Sequence, residues 1–223
     1  MFIQFTVLTE HLDRYFIGLG GTLAASVISL IASFILGGVI AVFRITPIKP
    51  LQWFGTAYVE FLRNIPLMLL AIFVLVGLPL LTGALLVPFA AGIAALTVYT
   101  SAFIAEVIRA GIQAVPAGQM EAARSSGLTY IQAMRHVILP QAIKLVIPPL
   151  GNQFLNLVKN SSILTVLAAP DLMYHADLIN SDTFDTFSTY IFAAAFYLLL
   201  TIPLSFGIRF LEQKYQSGKG VEA

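Results

Sequence analysis

The chain is expected to be an all-α integral membrane protein with five transmembrane helices, and three observations lead there. Of its 223 residues, 58% are hydrophobic and 10% are charged, where soluble domains carry about 25% charged residues. Its mean hydropathy is +0.89, too apolar to clothe a water-facing globule. The apolar residues also fall into runs of the roughly 20 residues that a helix needs to cross a bilayer. Barrel strands would be about ten residues long and alternating. In lipid, with backbone polar groups needing internal partners, the long runs are therefore helices.

The first segment, residues 1–14, mixes apolar residues with Glu10, His11, Asp13 and Arg14. It lacks the basic start, apolar core and small-residue cleavage site of a signal peptide, and is expected to be an interfacial lead-in. Span one is expected at residues 15–43, long enough to tilt or protrude. It carries Gly18, Gly21, Ala25, Ser29 and Ser33, a small face that lets another helix approach closely. Arg44, Pro47, Lys49 and Pro50 end it in a short basic turn. Span two begins at residues 52–64 with an interfacial composition (Trp53, Tyr58, Glu60, Arg63) and continues through the nearly pure apolar run 65–81. Pro66 at the junction should kink or restart the helix. Thr82, Gly83 and Pro88 bracket a short turn.

Span three is expected at 89–112, interrupted by Glu106 and Arg109, and the only long polar stretch, 113–135, follows it. Span four covers 137–167, with Pro148 and Pro149 inside. Residues 169–189 form an acidic loop holding Asp171, Asp177, Asp182 and Asp185. Span five covers 190–211 and leaves a polar tail with Lys214 and Lys219. No internal repeat is visible, so residues 1–223 form one transmembrane domain with a polar loop at about 113–136.

Five spans put the termini on opposite sides, and the Lys/Arg bias of the loops sets the orientation. Arg44, Lys49, Arg124, Arg135, Lys214 and Lys219 collect on one side, while Arg14 and the four aspartates lie on the other. The N-terminus is thus expected outside and the C-terminus in the cytosol. Net charge is +1, which gives no footprint for nucleic acid. The chain has no cysteine, which excludes disulfides, thiol catalysis and Cys metal sites. His11, His136 and His175 are too scattered to form a ligand set. No cofactor is expected on this chain.

The polar stretch contains Val115-Pro116-Ala117-Gly118-Gln119-Met120-Glu121-Ala122-Ala123-Arg124-Ser125-Ser126-Gly127 and runs on to Val137-Ile138-Leu139-Pro140. Pro116 fits the first turn of a helix, and Gly127 can take the left-handed conformation that ends one. A second short helix is expected at 130–136, leading toward the membrane. The product is a rigid helix–glycine–helix feature suited to docking in a partner's cleft, although an ordinary polar loop would show the same outline.

The residues resemble the EAA loop of importer-type ATP-binding-cassette permeases. Glu121-Ala122-Ala123, Gly127, Val137 and Leu139-Pro140 stand at its spacing, with Val137 in place of the commoner isoleucine. Glu60-Phe61-Leu62-Arg63-Asn64-Ile65-Pro66-Leu67 is similar to the Glu-Phe-x-Arg-Gly-Thr-Pro-Leu segment of polar amino acid permeases, Asn64-Ile65 replacing Gly-Thr. Residues 105–112 and 159–164 are also similar to that subfamily. The resemblance covers about 19–211. It implies a type I importer (MetI-like) permease fold in a bacterial cytoplasmic membrane. It further implies dimerisation with a second copy or a paralogue, two cytosolic ATPase subunits, and an extracytoplasmic amino-acid-binding protein that delivers the substrate. Glu121, Ala122, Ala123 and Gly127 would dock the ATPase.

Candidate pathway residues come from spacing. Glu106 and Arg109, three apart, share a helix face that Ala102 and Gln113 extend. They either line a pathway or gate, or form a structural pair with Arg109 snorkelling to the interface. Glu60 and Arg63 pose the same choice. Asn152, Asn156 and Asn160 step by four into a polar stripe that Ser161 and Ser162 continue. They contribute to a midplane site or to helix–helix adhesion. Thr97, Thr100 and Ser101 are read chiefly as packing hydroxyls. No Gly-x-x-x-x-Gly-Lys-Ser/Thr loop is present, so ATP chemistry is expected on another chain and this one is not expected to be an enzyme. An intramembrane enzyme would need converging acid–base or metal groups, and an ion-coupled transporter or channel would usually show more spans and inverted repeats. Glutamate, aspartate, glutamine and basic amino acids all remain open as substrates, with a lean toward acidic or amide ones.

Overall fold

The computed structural model describes residues 3–83 and 85–216, so Met1 and the tail residue Lys219 lie outside it. A short helix, α1 (Phe5–Glu10), leads into α2 (Leu12–Ile45), which spans 34 residues. Next come α3 (Lys49–Asn64), α4 (Leu67–Ile72), a π turn at Phe73–Gly77 and α5 (Leu78–Thr82). They are followed by α6 (Pro88–Gln113), α7 (Ala117–Ser125), α8 (Tyr130–Ala133), a π turn at Met134–Ile138, and α9 (Leu139–Asn160). A 3₁₀ segment at Ser161–Leu167, α10 (Leu172–Thr183) and α11 (Thr186–Gln216) complete the order.

The two π turns share a cause. Each ends two residues before a proline, Pro79 and Pro140. A proline has no N–H to give and its ring crowds the carbonyl four residues back. The chain widens to i→i−5 bonds just before it, with Leu78 N donating to the Phe73 carbonyl and Leu139 N to the Met134 carbonyl.

Packing rests on small residues. The buried face of α2 steps by three and four through Gly18, Thr22, Ala25, Ser29, Ser33 and Gly37. It meets Ala91, Ala95, Ser101, Ala102 and Ala105 of α6, all 0% exposed. The two helices are parallel: Ser29 Oγ donates to the Ile93 carbonyl at 3.3 Å, Gly37 faces Ser101 and Ile104, and Arg44 reaches Glu106. Helix α9 runs against α6, since Gly92 faces Leu164 while Gly111 faces Val146. Helix α11 turns back beside it, with Gly151 against Ile208.

The chain therefore alternates direction through five traverses. Among the described residues, three helices are long and apolar enough to cross a membrane singly, namely Leu12–Ile45, Pro88–Gln113 and Thr186–Tyr215, and the bent pair Lys49–Asn64 with Leu67–Thr82 counts as a fourth if it forms one span. The fifth, through α8 and α9, is less apolar because it carries Lys144, Lys159 and the asparagines.

One expectation is sharpened and two need correcting. Pro66 restarts the helix of span two, as expected. The chain bends by 108° there, so α3 lies obliquely against Phe43, Arg44 and Val98. The segment expected as a separate helix at 130–136 is continuous with span four through the π turn. Finally, the acidic loop is largely a helix, α10, and its aspartates are structural. Asp171 caps α10 by accepting from Tyr174 N at 2.8 Å. Asp177 accepts from Thr165 Oγ1 at 2.9 Å and Tyr190 OH at 2.6 Å. Asp182 pairs with Arg14 at 2.5 Å, and Asp185 accepts from Ser188 N at 3.1 Å.

The start of α10 lies hard against α2: Leu172 N donates to Thr22 Oγ1 at 3.0 Å. A Cβ on Gly21 would stand 2.0 Å from the Pro170 carbonyl oxygen, whereas one on Gly20 would meet nothing within 4 Å. Gly21→Ala should therefore destabilise the fold by about 1–3 kcal/mol, the usual cost of overpacking. Gly20→Ala should be neutral or slightly stabilising through helix propensity. Thermal unfolding of the purified variants in detergent checks this; equal melting temperatures would contradict the packing described.

Candidate functional site

Two features concentrate the polar chemistry: a hairpin at the α7 end of the molecule, and a stripe running from that end into the bundle between α6 and α9.

The hairpin is built by its caps. Helix α7 ends with Gly127 at φ +88°, a left-handed conformation with open space around the residue. Gly127 N donates to the Arg124 carbonyl at 3.0 Å and Leu128 N to the Ala123 carbonyl at 3.2 Å, the paired bonds of a Schellman end. Thr129 then opens α8 with a capping box: Gln132 N donates to Thr129 Oγ1, and Thr129 N to Gln132 Oε1. One glycine separates a completed C-terminus from a completed N-terminus by little more than a turn, which makes the corner stiff. Met120, Met134, Val137, Val115 and Ile138 cluster beneath it and fasten the hairpin to α6 and α9. Glu121, Ala122 and Gly127 are exposed on its outer surface. Ala123 is only 7% exposed, so its small side chain serves packing within this chain and not an outward face.

Tyr99, Thr100 and Phe103 of α6 and Gln153, Asn156, Leu157 and Asn160 of α9 line a half-open cavity of about 230 Å³ between the two helices. It holds amides, a hydroxyl and aromatic rings, with no charged side chain in its wall. A larger groove of about 540 Å³ between α9 and α11 is lined by Ile147, Phe154, Ile208 and Phe210. It offers polar solutes almost nothing to bond. Asn152 is exposed and outside the polar cavity's lining. Ser161 is fully buried and donates to the Val158 carbonyl, and Ser162 donates to the Lys159 carbonyl.

One and two turns along α6 from Phe103 lies a charge network. Arg109 grips Glu106 with Nη2 to Oε1 at 2.5 Å and Nε to Oε2 at 3.1 Å. Arg44, reaching across from α2, bonds the same carboxylate, and Arg109 also bonds Gln113. The Arg44 side chain is only 8% exposed, so this carboxylate neutralises a cation within the α2–α6 contact. Ala102 is buried core and does not belong to this stripe. Glu60 and Arg63 do not pair. The Glu60 carbonyl accepts from Asn64 Nδ2, and the Arg63 guanidinium lies 5.8 Å from the centre of the Phe103 ring.

Sequence reasoning missed Arg44, Tyr99, Phe103 and Gln153, and placed Thr100 among the packing hydroxyls. The signal for Gln153 was present: a helical face repeats every 3.6 residues, so 153, 156 and 160 hold one line better than 152, 156 and 160. Arg44 had no such signal, since its partner is 62 residues away.

Comparison with known proteins agrees with this architecture. The model of the family described as binding-protein-dependent transport system inner membrane component matches residues 33–217. A probable glutamine ABC transporter permease protein of Bacillus subtilis is 63% identical over 211 residues, 95% of this chain and 97% of its own. An arginine transport system permease protein of the same organism is 34% identical over 217 residues, 97% and 99% of the two chains. The solved structure of an amino acid ABC transporter with histidines superposes with a TM-score of 0.90 at 37% identity, covering 96% of this chain and 100% of that one. The MetNI methionine ABC transporter, in inward-facing conformations, shares the fold at a TM-score of 0.77 and 22% identity, covering 92% and 98%. With its all-α, MetI-like permease fold and a family match over most of its length, the chain belongs to the inner membrane components of binding-protein-dependent transport systems.

Proposed function

We propose that this chain is the membrane-spanning half-permease of an ATP-driven importer for polar amino acids of the glutamine class. The observation that carries the reading is the cavity between α6 and α9. It is polar, small, and lined by neutral amides and rings within an otherwise apolar bundle. Amide side chains can both donate to and accept from a substrate amide. The absence of a carboxylate from the lining favours a neutral side chain over a cationic one. The relative at 63% identity carries a glutamine name, which supports the same choice.

The amide face also argues for a second permease copy or a paralogue. Asn152 and Asn156 are exposed on a spanning helix. Polar groups there face a cavity or a protein partner in preference to lipid. Two cytosolic ATPase subunits would take the hairpins, and an extracytoplasmic binding protein would deliver the amino acid. ATP-driven closure of those subunits moves the hairpins and rocks the spans, exposing the cavity to alternate sides. The Arg44–Glu106–Arg109 network lies on the α6 stripe between cavity and hairpin, where it acts as the inner gate. ATP hydrolysis belongs to the partner subunits, and the chain alone should bind and hydrolyse none.

The primary test is uptake of radiolabelled glutamine by proteoliposomes holding the permease and its ATPase, with the binding protein added. Uptake must require ATP. Asn160→Leu should raise the glutamine concentration needed about tenfold, the effect of losing one good hydrogen bond, while the ATPase still co-purifies. Unchanged kinetics would return the amide face to a packing role.

The hairpin gives a second expectation. Ala122→Trp adds bulk on the exposed face and should lose the ATPase on purification, with the permease still inserted. Gly127→Asn should couple better than Gly127→Val, because asparagine tolerates the left-handed region and a β-branched residue does not. Equal coupling of all variants would remove the hairpin as the docking element.

Orientation is tested by labelling. With no native cysteine to interfere, a cysteine at Ser181 should react with an impermeant maleimide in intact spheroplasts, and one at Ser125 only after the membrane is opened. The opposite pattern would invert the topology.

A further inference from the structure

The apolar groove between α9 and α11 takes no part in the transport reading. Gly207 lies in its wall, and a Cβ there would meet nothing within 4 Å. A second apolar groove, of about 230 Å³, reaches on to Leu23 and Leu30 of α2. The two share Phe154 and Leu204, so they form one continuous trough. Along α11 it runs from Tyr215 to Leu200, roughly 22 Å at the helical rise. One leaflet of the hydrocarbon core is about 15 Å deep, so the trough has the length of a lipid chain.

The end of the trough nearest the hairpin is basic. Helices α9 and α11 are antiparallel, with Gly151 against Ile208. Lys144 precedes Gly151 by as many residues as Tyr215 follows Ile208, so Lys144 and Tyr215 stand level at the mouth. Lys144 falls one turn before Ile147 on the trough face, and Lys214 one turn after Phe210. Both lysines are exposed, and neither has a hydrogen bond or ion pair among the described residues. Arg209 lies on the far side of α11, and Glu212 is turned roughly 100° away from Leu211.

We infer that this trough is a binding site for an anionic phospholipid of the hairpin-side leaflet, with an acyl chain in the trough and the phosphate between Lys144 and Lys214. Basic residues at the mouth of a cleft between spanning helices are a recurrent means of holding anionic headgroups. Tyr215 stands at headgroup depth, where amphipathic rings are favoured. The competing occupant is a second copy of the chain. Gly151 and Asn160 are separated by about two and a half turns of α9, so the trough and the amide face look in opposite directions. The choice of lipid over a second copy rests on the amide face being the side proposed above for that copy.

The test is native mass spectrometry of the purified full chain, delipidated in detergent and titrated with phosphatidylglycerol and with phosphatidylcholine of the same acyl chains. Phosphatidylglycerol should bind about tenfold more tightly, the scale of two lysines near a membrane surface. Joint substitution Lys144→Gln and Lys214→Gln should erase that preference. Gly207→Phe, which fills the trough where a side chain has open space, should weaken both lipids. Equal binding of the two lipids by the native chain, or a preference that survives the double substitution, overturns the proposal. So does glycerol 1-phosphate binding as tightly as the lipid, since the trough would then contribute nothing. Oxidative cross-linking in native membranes separates the occupants. A Gly207→Cys chain that joins a second permease chain overturns the lipid site. If Asn152→Cys fails to join one while the lipid preference holds, the amide-face reading falls alone and the lipid site stands.

Discussion

The fold depends on how closely α2 and α6 can lie. In lipid, apolar side chains gain little by exchanging one hydrocarbon neighbour for another, so helices associate through packing contacts and hydrogen bonds. The contact is made by Ser29, Ser33 and Gly37 against Ala95, Ser101 and Ala105, side chains with almost no reach. A Cβ on Gly37 would be 2.8 Å from the Ser101 carbonyl oxygen, so the backbones are about as near as they can be. Two parallel helices held this tightly form a spine. Helix α10 rests on one end of it through Gly18 and Gly21, and the oblique α3 fits the other through Gly55.

The same spine explains the location of the charges. Arg44 comes off the end of α2 into a region too confined to hydrate it, and Glu106 is the partner that the parallel register supplies. Breaking a partly buried pair leaves a costly unpaired ion, so the network fixes the register of the two helices as well as standing in the stripe that leads to the cavity. The structural role follows from the ion pairs, and the gating role proposed above would use the same residues.

Much of this was legible in the sequence. The apolar runs gave the helical class, Pro66 marked the break in span two, and Gly18, Gly21, Ala25, Ser29 and Ser33 marked the packing face. Glu121 to Gly127 and Leu139-Pro140 gave the hairpin. What escaped was of two kinds. Some of it was local and misjudged: charge counting hid α10, although Asp171 as cap and the spacing of Leu172, Ala176 and Ile179 were available, and Thr129 with Gln132 was an unread capping box. The rest was not local at all. That Arg44 answers Glu106, that Arg63 lies on Phe103, and that Ala123 faces inward are products of the assembled bundle, and no spacing along one helix contains them.

The unbroken helical path from Tyr130 to Asn160 has a mechanical consequence. It begins two residues after the corner at Leu128 and ends in the wall of the cavity, with a π turn and prolines along the way but no interruption. At about 1.5 Å per residue, Tyr130 and Asn156 are roughly 40 Å apart along one rod. The π turn and the prolines are the places along it where a helix bends most readily. The close seat of Gly111 on Val146 and of Gly151 on Ile208 supplies the bearing surfaces partway along. A shift of an ångström or two carried from the corner to Asn156 and Asn160 would be enough to make or break hydrogen bonds there. If the hairpin docks a partner as proposed, this one helical path is what would carry a movement outside the membrane to its centre.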